Sequence, residues 1–202
     1  MEDLFKFDKS TLTSTKEKGQ AKAIKKERAK KLRQTKRDEN FETIINECGG
    51  FPNSNEYVAI KTNGTSDCGS IFSTIIKKFG KIDEMFLATW TISKQNINRI
   101  KEAIELTELD NLTMVFSSTL KQANHALYSN LMLNLKKYEN VKLKEINSHA
   151  KTFSVKCGND YFTVTGSANW SENPRIENFL ILNDINLYNH HKEWMSELAE
   201  IK

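Results

Sequence analysis

From residue 57 to residue 146, strand-like and helix-like patterns take turns along the chain, and that alternation limits the fold more than any other feature. Residues 57–61, 85–91, 112–116 and 141–146 read as strands; residues 70–79, 93–106 and 122–138 between them read as helices. The second helical segment sets Ile97, Ile100 and Ile104 on one face, and the third carries Leu127, Leu131 and Leu135, the spacing of amphipathic helices that lie on a sheet. Strands separated by helices are joined by crossovers. The expected class is therefore α/β, a mixed, largely parallel β-sheet flanked by helices. Residues 187–201 close the chain as a further helix with Trp194, Leu198 and Ile201 apolar.

After residue 146 the rhythm changes to two alternating segments around the turn Cys157-Gly158-Asn159-Asp160, the pattern of a β-hairpin. His149 and Lys151 precede it two residues apart, so in extended chain an imidazole and an ammonium project side by side. The returning segment delivers Gly166, Ser167 and Asn169 to the same end. Glycine permits backbone that a Cβ would obstruct, while a hydroxyl and an amide can donate to phosphate oxygens. A carboxylate such as Glu177 can hold one nitrogen of His149 and leave the other free as a nucleophile. A plain strand-edge carboxylate is the other reading of Glu177. The set as a whole suits a phosphate group.

H-x-K at His149 and Lys151, G-S-x-N at Gly166, Ser167 and Asn169, and the pair Glu177-Asn178 in an apolar run resemble the signature of the phospholipase D superfamily, above all its single-motif bacterial endonucleases. The resemblance implies a phospholipase D-like fold and a phosphodiesterase that needs no metal and no cofactor. One histidine attacks phosphorus, Lys151, Ser167 and Asn169 steady the charge, Glu177 orients the nucleophile, and a second histidine protonates the leaving oxygen. Residues 1–148 hold no second H-x-K, since His125 is followed by Ala126 and Leu127. The implied assembly is a homodimer that brings two His149 residues together across a two-fold axis. The chain departs from the family at Lys156, where an aspartate is usual, and in a longer interval between Lys151 and Gly166 that offers Asp160 as a substitute.

A chain of 202 residues with 38% hydrophobic content can bury one core and carry an appendage. Residues 1–40 are expected to be a lead and a projecting basic helix, and residues 41–202 the phosphodiesterase domain. Phe41, Ile44, Ile45 and Cys48 fall at helical spacing before Gly49-Gly50, so the end of that helix can pack on the domain. The net charge of +4 is unevenly spread: residues 16–37 hold eleven Lys or Arg against two Glu, a balance of +9, residues 1–15 carry −1 and residues 38–202 carry −4. Such a segment beside a mildly acidic domain has the footprint of a nucleic-acid arm, with Lys22, Lys25, Lys26, Arg28, Lys30, Lys31 and Arg33 as candidate phosphate contacts. A solvated charged helix is the plainer reading.

The remaining features restrict function by exclusion. Three cysteines without C-x-x-C spacing indicate neither a disulfide framework nor zinc, and a reducing compartment is expected. No membrane span or secretion signal is read, so the expected location is the cytoplasm of a bacterial or phage-infected cell. Residues 64–70 have the glycine spacing of a phosphate-binding loop but Ser70 where its lysine belongs, and read as a strand-to-helix turn. Adjacent His190 and His191 cannot share a helix face and are expected to be solvated. Trp170 is either a core residue or a base-stacking contact beside Gly166. The leading expectation is an endonuclease acting on DNA or RNA; a nucleic-acid-binding protein without turnover and a lipid phosphodiesterase are the alternatives.

Overall fold

The computed structural model describes residues 9–171 and 173–201, with side chains described at Lys25 and at all of these residues from Arg28 onward. The chain divides into two compact units, Met1–Lys36 and Arg37–Lys202. In the first unit the described residues are helical, the start of α1 (Lys9–Glu47), as a proline-free run of Ala, Lys, Arg and Glu favours. Lys25, Arg28, Lys30, Lys31 and Arg33 are all exposed, whereas Lys22 and Lys26 lie outside the described side chains.

The second unit begins with the last turns of α1, which bury Phe41 and Ile45 in the core and set Ile44 against it. Cys48, expected on the same face, is exposed, because the helix has ended and Gly49 and Gly50 turn the chain at φ +92° and +100°. The order then runs β1 (Tyr57–Thr62), α2 (Cys68–Phe79), β2 (Glu84–Thr89), α3 (Lys94–Glu105), β3 (Leu112–Ser117), α4 (Thr119–Ala123), α5 (His125–Leu135), β4 (Val141–Ile146), β5 (Thr152–Cys157), β6 (Asp160–Gly166), β7 (Glu177–Asn183) and α6 (Ile185–Glu197).

The seven strands form one mixed sheet in the order β1-β7-β6-β5-β2-β3-β4. The α/β class holds, but the sheet is not largely parallel: only β2-β3 and β3-β4 are parallel, and the other four pairings are antiparallel. The reason lies in the connections. Helical crossovers join β2, β3 and β4, whereas β5, β6 and β7 follow one another without an intervening helix and fold back on themselves. Gly158, at φ +60°, takes the first central position of the two-residue β5-β6 turn, where a positive φ favours glycine.

Both faces of the sheet are covered, so β2 reads as a continuous apolar run instead of alternating. Met85 and Leu87 join the larger core with Phe72, Ile97, Leu131 and Phe153. Phe86 and Ala88 point the other way, into a smaller core closed by Tyr188 and Met195 of α6.

Two helix boundaries differ from expectation. The segment 122–138 is broken at Asn124, whose backbone (φ −154°, ψ 79°) leaves the helix while its side chain accepts the amide of Leu127 and starts α5. The last helix stops at Glu197. There Lys144 of β4, 2% exposed, donates to the carbonyls of Met195 and Ser196 at 2.8 and 2.7 Å, and the chain then pairs with β4 through Glu200 and the amide of Ile201. Among the described residues no helix is long and apolar enough to cross a membrane.

Candidate active site

One edge of the sheet gathers the motif. The register sets Ala88 opposite Thr152, Thr152 opposite Thr165, and Gly166 opposite Phe179. The end of β2, the start of β5, the end of β6 and the start of β7 therefore meet at one rim. His149 and Lys151 stand just before β5, Ser167 and Asn169 just after β6, and Glu177 opens β7. The C-terminal ends of the parallel strands lie at this same rim, where open α/β sheets leave a crevice.

His149 is exposed and Lys151 half-buried. The lysine Nζ lies 2.9 Å from His149 Nδ1 and donates to the histidine carbonyl at 3.1 Å. Burial lowers the Lys151 pKa below the usual ammonium value, with the negative charge of Glu177 acting in the opposite sense. A charged lysine makes Nδ1 an acceptor and leaves the ring proton of a neutral imidazole on Nε2. A nucleophilic Nε2 requires the other tautomer, with the lysine moved off Nδ1.

Glu177 takes a different place from the one expected. Its carboxylate, 5% exposed, accepts the hydroxyl of Ser167 on Oε2 and the amide of Asn173 on Oε1, the latter at 2.5 Å. Its two oxygens are turned to the loop after β6, and the ring of His149 is not among its hydrogen-bond partners. The Ser167 hydroxyl also accepts the backbone N–H of Asn178 at 3.1 Å, so its proton points inward to Glu177. Gly166 is required by close approach, because a Cβ there would overlap the carbonyl oxygen of Asn178. Asn169 is half-buried, and its Oδ1 has no hydrogen-bond partner among the described residues.

Of the two readings of Trp170, the structure selects the core residue and corrects the stacking contact. Trp170 is fully buried, with Phe72 at 5.7 Å and Phe153 at 5.1 Å between ring centroids, and no face is open to a base. Its carbonyl accepts Asn96 Nδ2 at 3.0 Å; the same amide lies 3.4 Å from Asp67 Oδ2. Asp67 caps α2 through Ser70 N and pairs with Arg37 at 3.6 Å, while Arg99 of α3 makes two 3.0 Å bonds to Asp38. This largely buried polar set, invisible in sequence because its members lie far apart along the chain, ties down the backbone at Trp170, directly after Ser167 and Asn169. Residues 64–70 belong to it as a strand-to-helix turn: Gly64, at φ +71°, lies where a Cβ would overlap Pro174.

The departures from the resembled motif fall away from the rim. Lys156 is five residues along β5 from Lys151, roughly 16 Å at the rise of a strand, and sits opposite Glu84 and Tyr161. Asp160, at the hairpin turn, accepts Asn183 Nδ2 at 2.8 Å and closes the far end of the sheet, so it joins no group at the rim. His191 is half-buried instead of solvated: its Nδ1 lies 3.1 Å from Ser154 Oγ and 3.4 Å from Thr152 Oγ1.

Sequence reasoning passed over Trp90. It is 39% exposed, and its ring centroid lies 5.3 Å from that of His149 at an interplanar angle of 40°. In the sequence Trp90 falls within the segment 85–91 read as a strand, and only the end of β2 at Thr89 sets it beyond the sheet.

Fold and rim together define an α/β domain that presents a histidine-lysine pair beside a loop bonded to a buried carboxylate. Neither family models nor curated proteins give a match to the chain. Among solved structures it is similar to a phosphatidylserine synthase from Haemophilus influenzae Rd KW20, at 13% identity and TM-score 0.54 over 76% of this chain and 41% of that one. A polyphosphate kinase from Porphyromonas gingivalis is similar at 15% identity and TM-score 0.49 over 77% of this chain and 25% of that one. TrmBL2, an archaeal chromatin protein described with a novel mode of DNA binding, is similar at 11% identity and TM-score 0.46 over 94% of this chain and 66% of that one. The likeness to the synthase is one of fold, and the chain spans less than half of that protein.

Proposed function

We propose that this chain is a metal-independent phosphodiesterase of the phospholipase D superfamily, an endonuclease that cleaves DNA or RNA through a phosphohistidine as a homodimer. The observation that carries the reading is the 2.9 Å approach of Lys151 Nζ to His149 Nδ1 at the rim where Ser167, Asn169 and Glu177 also meet. The fold shared with a phosphatidylserine synthase, itself of that superfamily, is in keeping with it. The substrate class rests on the +9 balance of residues 16–37, which suits a polyphosphate backbone.

In the proposed mechanism His149 Nε2 of one subunit attacks phosphorus in line, forming the N–P bond as the P–O bond to the leaving strand breaks. The second subunit's copy of the same histidine, as the imidazolium with Lys151 drawn off Nδ1, donates its Nε2 proton to the departing oxygen and is left as a neutral ring. The substrate phosphate draws both Lys151 side chains off Nδ1 and onto its non-bridging oxygens; at the attacking ring the proton then passes from Nε2 to Nδ1, which frees the Nε2 lone pair. The two lysines and the amide of Asn169 stabilise the charge spread over those oxygens. Glu177 and Ser167 act as positioning residues for the loop. Water then attacks phosphorus, giving its proton to the second subunit's now neutral histidine as the N–P bond breaks, which releases the second strand end and restores both rings.

The test is cleavage of plasmid and single-stranded substrates in EDTA, beside hydrolysis of phosphatidylcholine liposomes. Cleavage of nucleic acid that persists in EDTA and disappears in His149→Ala is expected. Full activity in that variant, or activity on liposomes alone, refutes the proposal.

A further inference from the structure

We infer that Trp90 is a stacking platform for one unpaired nucleobase next to the phosphate held by His149, and that the site therefore prefers single-stranded or locally unpaired nucleic acid. The inference rests on the proposed phosphodiesterase reading and names its substrate class. Trp90 is one of three tryptophans; Trp170 is fully buried and Trp194 is half-buried on the smaller core. Trp90 belongs to neither core and is 39% exposed, yet the chain around it is held firmly. Thr89, 3% exposed, donates its hydroxyl to the carbonyl of Thr91 at 2.8 Å across the indole-bearing residue. Ile92, fully buried, pairs with Trp170 in an isolated bridge, and the amide of Ser93 donates to the Trp170 carbonyl at 2.7 Å. A large aromatic outside both cores, more than a third exposed and with the imidazole of His149 as its ring neighbour, has apolar surface to offer a flat ligand.

Its position decides which ligand. The indole lies 5.3 Å, centroid to centroid, from the imidazole of His149. A phosphorus in line with Nε2 is therefore within one nucleotide step of the indole, so the base of an adjoining nucleotide can reach it. Every base offers a π-face, which makes such stacking tolerant of sequence. In a duplex the base faces are already stacked inside, so reaching an aromatic on the flank of the backbone requires an unpaired or extruded nucleotide.

The experiment uses the full chain and a thymidine strand, an abasic strand of the same length and charge, a duplex with the same number of phosphates, and vesicles of phosphatidylglycerol. Titrations follow tryptophan emission and affinity in the His149→Ala background, where the strands stay intact, and cleavage is scored separately with His149 in place. The thymidine strand is expected to quench emission and to bind more tightly than the abasic strand. Trp90→Ala should lower thymidine-strand affinity by about 5- to 150-fold, the range for loss of one base-aromatic stack, and leave abasic-strand affinity unchanged. Trp90→Phe should keep most of the preference and lose the quenching. An unchanged preference in Trp90→Ala, an equal loss for both strands, a response to vesicles alone, or dissociation of a dimer by Trp90→Ala would each overturn the inference. If the wild type cleaves nucleic acid while Trp90→Ala keeps its preference, the platform fails and the phosphodiesterase reading stands. A preference lost in Trp90→Ala without any cleavage by the wild type supports the platform and removes the enzyme. Binding of no strand at all removes both.

Discussion

Acidification should destabilise this domain through His191, and the size of the effect follows from where the ring sits. The imidazole packs between α6 and β5 with Nδ1 against Ser154 Oγ and Thr152 Oγ1. Burial, aided by the neighbouring His190, lowers its pKa from 6.5 to about 4. The fold thus favours the neutral ring, and the unfolded chain takes up the proton first as the pH falls. The stabilisation is fully present above the unfolded value of 6.5 and is lost as the pH falls through the interval to about 4. At about 1.4 kcal/mol per pH unit the ceiling is about 3 kcal/mol. The ring is only half-buried and solvent screens it, so about 1–2 kcal/mol is expected. Urea unfolding of the wild type and of His191→Gln, which can still bond Ser154, measures it: the stability of the variant should fall less steeply between about pH 7 and pH 4. Parallel slopes for the two proteins would refute the reasoning. The result bears on function because Thr152 directly follows Lys151, so acid loss of activity must be read against the His191→Gln background before it is assigned to His149.

Three other substitutions test how the rim is held. Asn96→Ala removes one of the two donors to the Trp170 carbonyl, which keeps the amide of Ser93, together with a contact to Asp67, and should cost about 0.5–1.5 kcal/mol, the net contribution of such a bond; Gly69→Ala, whose Cβ would overlap Asn96 Oδ1, should produce a similar loss in the same urea assay. Trp170→Ala empties a fully buried site between Phe72 and Phe153 and should lower stability by about 3–5 kcal/mol; an unchanged midpoint with weakened nucleic-acid binding would restore the stacking role. Lys144→Met strips the last carbonyls of α6 of their buried donor, with an expected cost of about 2–4 kcal/mol at two unmet acceptors and a lowered urea midpoint.

Much of the fold was legible from local pattern. Period and punctuation placed β1 through β4, α2 and α3 within a few residues of where they lie, because apolar spacing and caps such as Ser93 act over one or two turns. The hairpin was legible for the same reason, since Gly158 marks a turn that only its neighbours close. The break at Asn124 was hidden, because a side-chain cap within an apolar pattern looks like an interior residue until the backbone departs. Strand order was hidden as well: β5 slots between β6 and β2, and β1 joins β7 at the far side, both long-range choices.

The sequence by itself determined which chemical groups are available, a histidine and a lysine two residues apart, a G-S-x-N turn, a glutamate opening an apolar strand, and a segment of +9 charge. Spacing of two residues in extended chain is local, so the juxtaposition of His149 and Lys151 just before β5 could be read from it. Only the tertiary structure decided that Glu177 bonds Ser167 and Asn173, that Trp170 lies in the core, and that Trp90 stands beside His149. Each of these depends on which strands pair and which face of the sheet a helix covers, and packing over the whole domain selects among arrangements that the local pattern leaves equal.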